Sequence, residues 1–203
     1  MKSINFNKTF FLKGIINYHE LKYFSGIEIA FLGYSNSGKS SIINCLANNK
    51  KLARVSKLPG RTSTINFFNV LSDFRIVDFP GYGYSKINNF TKKLLEKNIF
   101  FYLKYRKCLN GIVILSDIRL PMKIYDKMIL KILKDSLLPI LIILTKSDKV
   151  SKKNKIERLL HLRKKLSHLN MNITIFSFSK KNKSDIFFLQ NQLSEWYFLY
   201  KNK

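Results

Sequence analysis

Apolar residues in this chain fall into short runs, separated by longer stretches in which they recur at every third or fourth position. Six runs have the length of buried strands: 27–33 (IEIAFLG), 67–71 (FFNVL), 74–79 (FRIVDF), 111–117 (GIVILSD), 139–145 (PILIILT) and 172–178 (NITIFSF). Between most of them the spacing predicts helices, over 39–47, 91–106, 122–135, 153–169 and 184–200. Only Ser72 and Asp73 separate the second and third runs, which predicts a hairpin. The remaining alternation of strand and helix predicts an α/β fold. Its sheet is mostly parallel and six-stranded, with helices on both faces and one antiparallel strand near the edge. Residues 1–24 read as an appended helix, an N-terminal extension packing on a domain formed by 25–203, and 51–66 read as a long irregular segment.

A chain of 203 residues that is 46% hydrophobic can bury one good core. Its two cysteines, Cys45 and Cys108, are too few for a disulfide framework or a zinc site, so a reducing compartment, the cytoplasm, is expected. The longest apolar run, LLPILIIL at 137–144, falls short of the roughly 18 residues that cross a bilayer, so no membrane association is expected. The basic start MKSINFNKTFFLKGII is interrupted by Lys13 and lacks a small-residue cleavage site, so it reads as part of the mature chain. A net charge of +25 points to a polyanionic partner, nucleic acid before a membrane surface. The excess lysine comes with abundant Ile, Asn and Phe, whose codons are rich in A and T, so base composition is a second source of the same charge. A monomer is expected.

The stretch Gly33-Tyr34-Ser35-Asn36-Ser37-Gly38-Lys39-Ser40 has the G-x-x-x-x-G-K-S spacing of a phosphate-binding loop, and it lies between a predicted strand and a predicted helix. Its backbone N–H groups suit the α- and β-phosphates of a nucleotide, aided by the positive end of the helix. Lys39 reaches the β- and γ-phosphates, and the Ser40 hydroxyl suits Mg²⁺. The run Asp78-Phe79-Pro80-Gly81 then offers a carboxylate to hold a water on the metal and a backbone N–H for the γ-phosphate. In Thr145-Lys146-Ser147-Asp148 the aspartate can accept from both N1–H and the 2-amino group of guanine. Lys146 can lay its stem along the base, and Thr145 can tie the loop to its neighbours. Ser177-Phe178-Ser179 closes the last strand, where backbone N–H groups can meet the guanine oxygen.

Thr62, in the loop ahead of the second strand, is placed to complete the metal shell when a γ-phosphate is present, which makes 53–68 a first switch segment. The glycine-rich FPGYGYSK after Asp78 is a second. Lys39, Thr62 and Gly81 are the catalytic candidates. Ras-type enzymes orient the attacking water with a glutamine after the D-x-x-G glycine; here that residue is Tyr82, so intrinsic hydrolysis is expected to be slow. Asn36 either holds a monovalent cation such as K⁺ near the phosphates, as in potassium-stimulated GTPases with a G-x-x-N-x-G-K-S loop, or only supports the turn.

Together SNSGKSS, LARVSKLPGRTSTINFF, VDFPGYGYSK, DIRLPMKIYD and ILTKSDK resemble the EngB (YihA/YsxC) family of bacterial GTPases, from about residue 20 to the C-terminus. The resemblance implies a Ras-like, Mg²⁺-dependent GTPase that acts on the large ribosomal subunit precursor and is linked to division and septation. It also implies that Gly33 to Ser40, Gly60, Arg61, Thr62, Ser63, Thr64, Asp78 to Gly81, Thr145 to Asp148 and Ser177 to Ser179 line the GTP/GDP site. Ser40 and Thr62 would then be the direct metal ligands. Three positions depart from the family pattern: Tyr34 stands for the usual Arg, Leu120 for a common His, and Phe178 for a small residue. A P-loop kinase is disfavoured by TKSD and DFPG, and an RNA-binding protein with a vestigial nucleotide site is disfavoured by the intact phosphate, metal and guanine positions.

Overall fold

The computed structural model describes residues 3–21, 25–53, 64–83 and 88–201. The strands in chain order are Phe10–Ile15 (β1), Ile27–Gly33 (β2), Ile65–Leu71 (β3), Phe74–Asp78 (β4), Leu109–Asp117 (β5), Ile140–Thr145 (β6) and Ile173–Ser177 (β7). They form one sheet in the order β1-β3-β4-β2-β5-β6-β7. The helices are Lys39–Leu46 (α1), Asn89–Tyr105 (α2), Ile124–Ile132 (α3), Lys152–Leu166 (α4) and Lys183–Lys201 (α5).

β2 lies between β4 and β5, parallel to both, and all seven of its residues are buried. Burial on both faces is why this strand reads as an unbroken apolar run rather than an alternating one. Its alternate side chains still part company. Ile29 and Phe31 pack with Ile42 and Ile43 of α1 and Leu193 and Trp196 of α5. Ala30 and Leu32 pack with Ile99 and Tyr102 of α2 and Ile129 and Leu130 of α3. Each Ile, Leu or Phe side chain among them, when fully buried, stabilises the fold by about 1.5–3 kcal/mol.

Glu28 is the exception inside β2, fully buried yet charged. Arg106 grips it with two nitrogens, at 2.8 and 2.7 Å, Arg75 Nε donates at 3.1 Å and the Tyr102 hydroxyl at 2.7 Å. The cluster sits at the amino end of β2, away from the edge where Gly33 ends the strand.

Three expectations are corrected. Of the segment 1–24, the described residues 3–21 hold a strand rather than the expected helix: β1 pairs antiparallel with β3, and short 3₁₀ turns at Phe6–Lys8 and Tyr18–Glu20 flank it. The sheet therefore has seven strands rather than six. β1 shows neither helical nor alternating periodicity because only Ile15 is buried. What holds it is the ladder to β3 and ring contacts such as Phe11 on Phe68 at 5.8 Å. The third helix begins at Ile124 rather than 122, because Met122 has φ 56°, a left-handed conformation that no helix interior accepts.

Candidate functional site

β2 and β4 are parallel neighbours with Phe31 beside Asp78, so the segments that follow them emerge together at the carboxyl edge of the sheet. That edge is where open α/β sheets bind their ligands. After Gly33 the chain passes through Tyr34, Ser35, Asn36 and Ser37 to Gly38, with Asn36 and Gly38 left-handed at φ 63° and 97°. Lys39 and Ser40 are then the first two residues of α1. N–H groups of a first helical turn have no partner within the helix, so they are available to an anion. The Ser37 hydroxyl is buried and has no hydrogen-bond partner among the described residues. Lys39 Nζ forms a buried ion pair with Asp78. Burial pushes the Asp78 carboxyl up, and Lys39 opposes that shift.

Asp78 ends β4, and the next residues fold back onto the phosphate loop. Phe79 and Pro80 are buried, Phe79 edge-on to Tyr102 at 4.9 Å. Tyr82 N–H donates to the Gly33 carbonyl at 3.3 Å, and Ser35 N–H donates to the Tyr82 carbonyl at 2.9 Å. Ser35 Oγ donates to the Gly81 carbonyl at 3.1 Å. A side chain at Gly81 would place its Cβ 2.8 Å from Ser35 Cα, so only glycine allows this approach. The two phosphate motifs are thereby stitched into one surface.

Ser40 and Asp78 supply a hydroxyl and a carboxylate, hard oxygen donors of the kind Mg²⁺ accepts. The ion pair with Lys39 brings Asp78 against the first turn of α1, which also carries Ser40. These donors fit the ion. Gly60, Arg61, Thr62 and Ser63, and with them most of the first switch segment, lie outside the described residues, as do Tyr84, Ser85 and Lys86 of the second. Thr64 is described, and its hydroxyl donates to Asn66 Oδ1 at 3.1 Å.

The base-recognition residues gather at the ends of β6 and β7. Thr145 Oγ1 donates to the Ser116 carbonyl on β5 at 3.3 Å. Lys146 turns the chain through a left-handed residue, φ 59°, and its ammonium pairs with Asp117 at 2.9 Å. Asp148 is exposed and accepts from Ser179 Oγ at 3.1 Å, while Ser179 N–H donates to Asp185 at 2.8 Å. Ser147 N–H donates to the Phe178 carbonyl at 3.2 Å, and Phe178 N–H to the Leu144 carbonyl at 2.8 Å. The bulky Phe178 side chain goes into the core beside Leu189, which leaves the backbone of 177–179 to shape the loop. Ser177 ends β7, partly buried.

Asp117 was not singled out by spacing. It holds Lys146 on one side and Arg119 on the other, with Arg119 bonds at 2.9 and 2.6 Å. Partial burial alone would raise its pKa, but the hydrogen bonds from Arg119 and Lys146 take it well below the ordinary carboxylate value. The available signal was positional: an acidic residue at the carboxyl end of a central parallel strand. Tyr82 was read only as a missing glutamine, whereas the structure buries its side chain.

Comparison with known proteins gives consistent matches. A family described as 50S ribosome-binding GTPase matches residues 28–146. The chain is 48% identical over 198 residues to the probable GTP-binding protein EngB of Buchnera aphidicola subsp. Schizaphis graminum, covering 98% of each chain. It is 46% identical over 193 residues to that of Buchnera aphidicola subsp. Baizongia pistaciae, covering 95% of this chain and 85% of the relative. Among solved structures, one described as a probable GTP-binding protein engB superposes with a TM-score of 0.65 at 26% identity, covering 83% of this chain and 97% of the other.

Proposed function

The chain belongs to the EngB family of GTP-binding proteins and is a GTP-hydrolysing enzyme of Ras-like fold; from that premise we propose that it acts as a GTP-dependent switch in assembly of the large ribosomal subunit. Normal division and septation would follow from that assembly, and the switch would work as a monomer in the cytoplasm. One observation supports this reading above the others. The loops carrying the phosphate, metal and guanine candidates leave one edge of the sheet and are hydrogen-bonded to one another in pairs, Ser35 to Gly81 and Ser179 to Asp148.

In this proposal the N–H groups from Gly33 to Ser40 hold the α- and β-phosphates, and Lys39 moves from Asp78 to the β- and γ-oxygens. Gly81 N–H meets the γ-phosphate. Ser40 and Thr62 would hold Mg²⁺ directly and Asp78 through a water; when bound, the ion neutralises charge between the β- and γ-phosphates. Asp148 accepts from guanine, Lys146 covers the base, and Asp117 keeps Lys146 extended along it. Asn36 would place its oxygen toward a K⁺ ion near the phosphates. Hydrolysis is slow because the Tyr82 side chain, unlike a glutamine, is not presented to water.

The test is sedimentation with large-subunit precursors. Binding should be tighter with a non-hydrolysable GTP analogue than with GDP, since only the γ-phosphate engages Thr62 and Gly81 together. It should also fall steeply with salt, as phosphate contacts require. Equal binding in the two nucleotide states would overturn the switch.

A further inference from the structure

Tyr82 occupies the position at which Ras-type enzymes carry the water-orienting glutamine. Here its side chain is 2% exposed, and its hydroxyl donates to Asp126 Oδ1 at 2.7 Å. Asp126 is itself fully buried, and its other oxygen accepts from Ser116 Oγ and from Lys123 N–H, each at 3.1 Å. It is the third residue of α3, where the positive end of a helix favours a carboxylate. Ser116 Oγ in turn accepts from Met122 N–H at 2.9 Å, so the loop entering α3 is tied to the same group.

The phosphate loop reaches this place independently. Tyr125 N–H donates to Tyr34 Oη at 3.0 Å, and the Tyr34 ring stands edge-on to Tyr82 at 4.9 Å and to Tyr125 at 5.9 Å. Gly83 has φ 76°, and a side chain there would overlap the Tyr34 ring. The amino end of α3 therefore holds the phosphate loop through Tyr34 and the second switch segment through Tyr82. Between these two side-chain ties lie the backbone bonds of Tyr82 to Gly33 and Ser35.

We infer that Tyr82 and Asp126 form a positioning pair for GTP hydrolysis: their buried hydrogen bond, with Tyr34 packed against it, fixes the Gly81 peptide at the phosphate loop. Core packing alone would be served by a phenylalanine at 82. A hydroxyl that meets a fully buried carboxylate adds direction, because burying that charge is costly unless its hydrogen bonds are made. The residue so anchored is the immediate neighbour of Gly81. This inference rests on the reading of Gly81 as the γ-phosphate contact.

Tyr82→Phe keeps the ring and removes only the hydroxyl. In the full chain it should weaken binding of a non-hydrolysable GTP analogue by about five- to tenfold, less than the full effect of one hydrogen bond to a charged group because Gly81 is reached only through its neighbour, and slow single-turnover hydrolysis at least as much. GDP affinity should change by less than about twofold, because GDP has no γ-phosphate for Gly81 to meet. Asp126→Asn keeps an acceptor for Tyr82 while disturbing the side facing Lys123, and should shift the analogue-to-GDP ratio in the same direction by a smaller factor. That ratio serves as the readout if Tyr82→Phe folds poorly. A lowered melting temperature with an unchanged ratio in both variants would reduce the pair to packing and overturn the inference. Gly81→Ala separates the two levels. If it abolishes the preference for the analogue while Tyr82→Phe does not, the positioning pair alone is wrong; if Gly81→Ala leaves the ratio unchanged, the γ-phosphate reading fails and the pair falls with it.

Discussion

Asp148 presents an exposed carboxylate with Ser179 Oγ on one oxygen, so its direction is fixed while acceptor capacity remains for a base. Asp148→Asn should weaken GTP binding by roughly 2–3 kcal/mol, the scale of a lost charge-assisted pair, and admit xanthine nucleotides. Titration with GTP and xanthosine triphosphate checks this, and unchanged GTP affinity would exclude the guanine contact. Asn36 combines an exposed side chain with φ 63°, a conformation asparagine tolerates, so the turn alone accounts for its backbone. If its side chain also holds a cation, K⁺ should raise the hydrolysis rate well above Na⁺ at equal ionic strength. Asn36→Ala should erase that difference and spare GDP binding. That Lys146 and Asp148 lie together was legible in the sequence because they share one loop. Asp117 was not, because its link to Lys146 depends on the β5–β6 register that sets Asp117 beside Thr145.

At the scale of elements, the buried cluster around Glu28 fastens β2 to β4 and to the end of α2 through Arg75 and Arg106. Burial would raise the Glu28 pKa, but hydrogen bonds from Arg106 and Tyr102 and the charges of Arg106 and Arg75 bring it below the ordinary value of 4.5. A carboxyl depressed in the folded state contributes stability that is complete above its unfolded pKa and is lost as pH falls through its folded pKa. Glu28→Gln should therefore destabilise the fold by about 3–5 kcal/mol near neutral pH, the cost of breaking a buried pair. In urea unfolding the gap to the parent chain should narrow as pH drops below about 4.5. Six strands and five helices were legible because each has its own apolar run or stripe. β1 was not: its order comes from a ladder to β3, a partner remote in sequence, and five of its six residues are exposed or half-buried.

Across the whole molecule the positive charge is uneven. α4 carries Lys152, Lys153, Lys155, Arg158, Arg163, Lys164 and Lys165 against the single acid Glu157, and buries only Leu162. The sequence showed the total charge, but its concentration on a helix beside the edge strand β7 needed the fold. The place of β1 also bears on how the chain is made. Of β1 only Ile15 is buried in the folded chain, and its partner β3 is synthesised only after the whole phosphate loop and α1 have emerged. Long-range pairing waits on closure of the intervening loop, so the β1–β3 ladder is expected to be among the later contacts to form. Until β1 docks, β3 offers nascent neighbours an open row of backbone donors and acceptors. In the folded sheet β1 covers that row and becomes the outer edge itself, with Phe10 and Phe11 about half exposed along it, so the liability is moved outward rather than removed.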